Sequence, residues 1–257
     1  MDLAIIIGVV VAFGAIFASV FMEGSTPFVI FLLPPMLLVF GGTIGAAIAG
    51  GTLADAKSLI GLLKKAFTAK VIPADSAVET LVKLAERARK EGLLALEDAV
   101  KDVDDPFLKQ GLSLAIDGTD PEEVRSILES QVDAKKAVDK AGAKIFGDMG
   151  GYSPTIGIIG TVFGLVHVLE NLSKPAQLGH LIAGAFIATL WGVMSANVLF
   201  LPMSARLKRL SELECAHMEL VIEGVASIQA GANPRVVAQR LSSLLPPKPA
   251  EADKKAA

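Results

Sequence analysis

Hydrophobic and polar positions fall into long blocks along this chain. Four apolar windows, near residues 3–21, 27–50, 154–172 and 181–201, each approach the roughly 20 residues that a helix needs to cross a bilayer. Glu23 and His180 stand in short connections between them, so the windows predict two membrane hairpins. The first window has neither a basic leader nor a small-x-small cleavage site before a soluble domain, and reads as a retained span.

Between these hairpins lies a charged stretch whose apolar residues recur at helical spacing. Residues 54–67 are amphipathic, with lysines at one end, as in a helix lying at a membrane surface. Ser76-Ala-Val-Glu79 reads as a capping box ahead of Val78, Leu81, Val82 and Ala85, which share one helical face. Gly92 predicts the end of that helix, and a short helix with Leu93, Leu96 and Glu97 follows. Asp105-Pro106 and Asp120-Pro121 each read as a cap followed by proline at the first helical position. The second opens a long helix towards Asp148, with Gly150, Gly151 and Pro154 marking a break before the third span. Pro202 interrupts the pattern after the fourth span, Asn233-Pro234 caps a last helix, and residues 246–257 read as a polar, disordered tail. No strand-like alternation stands out.

The fold class expected is therefore all-α: a polytopic membrane protein with four transmembrane helices and a helical cytoplasmic domain. Its expected segments are a hairpin over residues 1–52, a helical domain over 53–151, a second hairpin over 152–203, and C-terminal helices with a tail over 204–257. Basic residues set the orientation. Lys57, Lys64 and Lys65 follow the second window, Lys140 and Lys144 precede the third, and Arg206, Lys208 and Arg209 follow the fourth. The hairpin loops hold only Lys174, which places both termini and the central domain in the cytoplasm.

Composition narrows the function. The chain has 257 residues, 52% of them hydrophobic and 20% charged, a formal net charge of −3, and one Trp and one Tyr. That balance leaves no nucleic-acid footprint. The single Cys215 excludes a disulfide framework and a cysteine metal site, and reads as a core or surface thiol. No phosphate-cradling glycine loop and no nucleophile–base pair is evident, so nothing points to an enzyme or a resident cofactor.

Apart from Glu170 near the end of the third, the windows contain no Asp, Glu, Lys or Arg. Cation transport through hydrocarbon usually needs an ionisable group. Either the chain is a passive scaffold, or a partner supplies the charge. Gly157, Gly160 and Gly164 form a small-residue flank suited to close helix contact. Thr161 stands about 10 Å along its helix from Pro154, and Thr189 about 20 Å from Pro202. Each hydroxyl suits an ion path, or a bond back to its own helix. Pro154 and Pro202 read as coupling hinges or as helix boundaries. His167 is a candidate relay group or a packed histidine, and Tyr152 an interfacial anchor. Arg87, Arg89 and Lys90 suit a helix C-terminus, with Glu97 and Asp98 beyond the turn.

The charged run Arg87-Ala-Arg-Lys-Glu-Gly-Leu-Leu-Ala-Leu-Glu97, the Phe146-Gly-Asp…Pro154-Thr-Ile-Gly-Ile-Ile-Gly-Thr-Val-Phe-Gly164 segment, Ala188-Thr-Leu-Trp-Gly192 and Leu201-Pro202 carry a resemblance across nearly the whole chain. The sequence resembles the MotA/PomA family of flagellar stator subunits, in the wider group that holds ExbB and TolQ. Asn233-Pro-Arg-Val236 matches the C-terminal motif of the PomA-like branch.

The resemblance implies a pentamer around two copies of a MotB/PomB-like subunit, whose single membrane helix carries an Asp. It implies an inner-membrane location, cation flow (sodium favoured over proton) and torque on the rotor protein FliG. Arg89, Lys90, Glu97 and Arg235 correspond to the family's rotor-facing charges. Thr161 and Thr189 correspond to its ion-pathway threonines, and Pro154 and Pro202 to its coupling prolines. Na⁺ or H⁺ would be cargo, with no resident metal or cofactor. The alternative within the same group is an ExbB/TolQ-like, proton-driven energiser of another envelope process. Its usual three spans and differently placed insertion fit this sequence less well.

Overall fold

The computed structural model describes residues 4–24, 26–69 and 74–245, and among these every regular element is helical. The expected 246–257 tail lies outside the described residues. The chain groups into two compact units, each made of two stretches. One contains Met1–Lys70 with Val138–Ser211, the other Val71–Ala137 with Glu212–Ala257.

The first unit is the apolar one. Helix α1 spans Ala4–Met22, 19 residues that cover about 28 Å at 1.5 Å each. The second window divides: Pro27–Ile30 is a 3₁₀ turn, and a continuous helix then runs from α2 (Leu33–Met36) through a π-helical stretch (Leu37–Gly41) to α3 (Gly42–Ala49). Pro34 and Pro35 sit in its first turn, where their missing N–H groups cost little. Among the described residues three helices are long and apolar enough to cross a membrane, in Ala4–Met22, Pro121–Glu170 and Pro175–Gln229, and Leu33–Ala49 is a shorter apolar helix.

Helix α4 (Leu53–Thr68) has a capping box of its own: Thr52 Oγ1 accepts from the Asp55 amide, and the Asp55 carboxylate accepts from Thr52 N at 2.8 Å. It packs through Ala66, Leu59, Leu62 and Phe67, and Lys65 pairs with Asp139 at 3.2 Å.

Two expected interruptions are absent. Helix α8 runs unbroken over Pro121–Glu170 with Pro154 inside it. Gly150 serves close packing instead of a break, since a Cβ there would lie 2.5 Å from Leu201 Cδ2. Likewise α9 (Pro175–Met194) continues through a π-helical stretch (Ser195–Phe200) into α10 (Leu201–Gln229). Pro202 lacks a donor and its ring crowds the carbonyl four residues back. The wider π turns immediately before it re-register the backbone there, so the helix passes the proline without ending. His180 lies within α9 and not in a connection.

In the second unit, α5 (Ala74–Glu91) begins before Ser76, the expected opening residue, whose side chain lies outside the described residues. Helix α5 buries Leu81, Leu84 and Ala85, and Leu81 fills the space over Gly224. Gly92 ends it with φ 86°, a conformation that suits glycine. A 3₁₀ turn (Leu93–Ala95) then leads into α6 (Leu96–Lys101). Asp105 caps α7 (Pro106–Ile116) through the Phe107 and Leu108 amides, and Asp120 caps α8 through Glu122 N. Asn233 caps α11 (Pro234–Leu244), whose Val237 and Leu241 are fully buried. Cys215 is a buried thiol in this core.

Candidate ion-path seam and charged tip

The site expected in the apolar unit is a seam between α8 and α9. Ser153, Gly157 and Thr161 follow one another at i, i+4, i+8, so they share one flank of α8. Gly157, Gly160 and Gly164 meet α9 where a side chain could not fit. A Cβ on Gly157 would lie 2.8 Å from the Ala188 carbonyl oxygen and 3.1 Å from Thr189 Cα. One on Gly192 would lie 2.7 Å from the Ser153 carbonyl oxygen. The two backbones are therefore in direct contact along the seam, the arrangement that small residues permit in membranes.

Hydroxyls fasten this seam at two levels. Thr161 Oγ1 and Thr189 Oγ1 are bonded to each other, and Thr161 Oγ1 also lies 3.1 Å from Ala185 O and 3.3 Å from Gly157 O. Thr189 Oγ1 lies 3.4 Å from Gly157 O. Both readings of these threonines thus meet in one place: they bond to helix carbonyls, and they gather four oxygens into a small, half-buried cluster. Two levels down, Ser153 Oγ and Ser195 Oγ are 2.6 Å apart and fully buried, and Ser195 Oγ donates within its own helix to Trp191 O or, alternatively, to its Ser153 partner. Ser153 was not among the expected residues; its only sequence signal is its i, i+4, i+8 register with Gly157 and Thr161.

The expected hinges flank this seam. Pro154 stands beside Gly192, and Pro202 follows directly on the π-helical turns. Trp191 Nε1 donates to Ile30 O at 2.6 Å, tying the 3₁₀ turn before α2 to α9. Thr43, also on an apolar helix, is fully buried with its hydroxyl unpaired among the described residues. His167 is exposed and lines a cavity together with Gly160, Gly164 and Ala185 of the seam, its Nδ1 3.6 Å from the Glu170 carboxylate. Tyr152 is exposed, with its hydroxyl close to Gly50. No carboxylate enters the seam. Among the described residues no group of three or more His, Cys, Asp or Glu could hold a metal ion.

The second unit carries the expected charges at one turn. Arg89 and Lys90 end α5, Glu97 opens α6, and Gly92 reverses the chain between them. All three side chains are exposed, and among the described residues they form no ion pair. Their neighbours do: Arg87 pairs with Glu91 at 3.3 Å, and Lys101 with Asp98 at 2.8 Å, which holds the Asp98 carboxyl below its usual range. Leu94 projects from the same turn, 74% exposed. Arg235 is exposed in the first turn of α11, which packs on α5. Deeper in this unit, His217 Nε2 meets Asp105 Oδ2 at 2.7 Å, and His217 Nδ1 is buried without a hydrogen-bond partner among the described residues.

Known proteins resemble this chain over almost its whole length. Residues 6–92 match the model of the motility protein A N-terminal region, and residues 99–220 match that of the MotA/TolQ/ExbB proton channel family. Motility protein A of Bacillus subtilis is 37% identical over 249 residues, covering 96% of this chain and 92% of its own. That of Borreliella burgdorferi is 37% identical over 248 residues, with 96% and 95% covered. Among solved structures, a chain of C. jejuni MotAB superposes with a TM-score of 0.92 at 30% identity over 97% of this chain and 98% of its own. A chain of the flagellar MotAB stator complex from Bacillus subtilis gives 0.88 at 37% identity, with 95% and 96% covered. By sequence and by fold over almost its whole length, this chain belongs to the motility protein A family, in the MotA/TolQ/ExbB group of channel proteins and not among enzymes.

Proposed function

We propose that the chain is the ring-forming subunit of a flagellar stator in a bacterial inner membrane, with both termini cytoplasmic. It conducts a cation with a MotB-like single-span partner and turns ion flow into torque. One observation carries this reading: the seam offers hydroxyls and carbonyls but no group that takes up and releases a cation. The solved relatives are MotAB complexes, which fits a second chain bringing that group. The partner's group is an intramembrane Asp, and five copies of this chain surround two of the partner.

Ions pass by the Thr161–Thr189 pair. A sodium ion exchanges its water for hard oxygen ligands, and hydroxyls and carbonyls are of that kind. Sodium is the favoured ion on this ground, with the proton as the alternative. Swimming speed against external sodium at fixed pH distinguishes them, since a proton-driven motor would not respond.

Torque leaves through Arg89, Lys90, Glu97 and Arg235, acting on the rotor protein FliG. Exposed ion pairs are worth about 0–1 kcal/mol, so such contacts can form and break at every step. Arg89→Glu with Glu97→Lys should leave the complex assembled and strongly weaken swimming, and matching reversals on the rotor should restore it. Unchanged swimming in the double variant would remove the torque role.

A further inference from the structure

We infer that the apolar unit carries a binding site for an anionic phospholipid, in the groove that α1 forms with the π-helical turns and the start of α10. The groove encloses about 360 Å³, with Ala4, Gly8 and Ala12 of α1 on one wall and Asn197, Pro202 and Arg206 on the other. The inference rests on the proposed membrane topology, which sets the Arg206 end at the cytoplasmic boundary.

Gly8 distinguishes this place from the α8–α9 seam. There, a Cβ on each seam glycine would run into the opposite helix. At Gly8 a Cβ would meet nothing within 4 Å. The small residues Ala4, Gly8 and Ala12 line up at i, i+4, i+8 without drawing a helix of this chain onto them, so they make room for something else.

The charge and dimensions of the groove identify its occupant. Arg206 and Asn197 are nine residues apart, about 13 Å along a helix. Val198 and Pro202 line the groove between them, and beyond Arg206 the exposed Lys208 and Arg209 add positive charge. A cation at the membrane boundary over an apolar channel matches a phosphate with an acyl chain beneath it, and basic pockets between membrane helices on the cytoplasmic side bind such headgroups. Arg206 is already engaged within the chain. A guanidinium has five donors, so it can serve a phosphate as well. An acyl chain is narrow enough to lie in the groove.

The test uses the assembled complex in lipid nanodiscs, probed with phosphatidylglycerol or phosphatidylcholine bearing a photoreactive acyl chain. Phosphatidylglycerol is expected to label α1 or residues 197–206 several-fold more than phosphatidylcholine. Gly8→Phe fills the channel and should reduce this labelling several-fold, while Gly8→Ala should not. Arg206→Gln should abolish the preference for the anionic lipid, and Arg206→Lys should keep part of it. Where Gly8→Phe fails to assemble, Arg206→Gln alone carries the test. Equal labelling by both lipids, or a preference untouched by Arg206→Gln, overturns the proposal, as does an Ala12→Cys cross-link between copies. Impermeant thiol labelling of Glu23→Cys from outside and Lys208→Cys from inside reports the topology separately, so a failed lipid site and a wrong topology give different results.

Discussion

The α8–α9 seam has no room for a methyl group at Gly157, and the consequence of adding one can be worked through. In Gly157→Ala the new Cβ would stand 2.8 Å from Ala188 O, where ordinary contact begins at 3.4 Å, so the helices must part by about 0.6 Å there. Backbone atoms form the obstacle, and no side chain can swing aside. Thr161 Oγ1 and Ala185 O, 3.1 Å apart, would open to about 3.7 Å, beyond hydrogen-bond range. Overpacking costs about 1–3 kcal/mol, and an interhelical hydrogen bond in a membrane is worth about 0.6 kcal/mol. Alanine's better helix propensity returns about 0.5–1 kcal/mol, leaving a net loss on the order of 1–3 kcal/mol. The control is Gly151→Ala, which adds the same methyl where nothing lies within 4 Å. Thermal unfolding of the complex in nanodiscs should show a lowered midpoint for Gly157→Ala and an unchanged or raised one for Gly151→Ala. Swimming speed should fall only in the former. Equal midpoints and equal speeds for the two variants would refute the close-packed seam.

Two further outcomes follow from hydroxyls and a carboxylate. Ser153 and Ser195 are bonded to each other in full burial, and Ser195 Oγ can also donate to Trp191 O; Ser195→Ala therefore strands the Ser153 hydroxyl whereas Ser153→Ala leaves Ser195 a partner, and the double change should cost less than the sum of the singles in a double-mutant cycle on the unfolding midpoint. At Asp105, burial is the largest single effect and raises its pKa, yet the hydrogen bond from His217 and those from the Phe107 and Leu108 amides together outweigh it and leave the pKa lowered. Its stabilisation is therefore complete above the unfolded carboxylate value of about 3.9 and is lost as pH falls through the lower folded value. Asp105→Asn should reduce stability near neutral pH and flatten that acid-side decline, as measured by unfolding midpoints between pH 6 and 3.

Much of this architecture was legible in the sequence because its signals are local. Asp105, Asp120 and Asn233 before prolines are caps in the structure, and Gly92 ends α5 with positive φ. The apolar windows and the all-helical class follow from composition and period alone. What failed was the reading of Pro154, Pro202 and Gly150 as punctuation. At Pro154 the helix continues past one missing hydrogen bond, and at Pro202 the π-helical turns before it re-register the backbone. At Gly150 the missing side chain makes space for Leu201. Such effects depend on a partner far away in sequence, which no local pattern reveals. For the same reason the glycine spacing showed that something packs closely, but not that α9 does, and Ser153 went unnoticed until Ser195 stood opposite it. The helix start expected at Ser76 shows the converse error: a good local signal overridden by a helix that starts earlier.

The account's central claim is that this chain shapes an ion path but cannot move an ion by itself. The most direct test measures cation flux into proteoliposomes holding the chain alone, the chain with its single-span partner, or the chain with a partner whose intramembrane Asp is changed to Asn. The account predicts flux only with the unaltered partner. Flux through the chain alone, or flux that survives the Asp→Asn change, would contradict it.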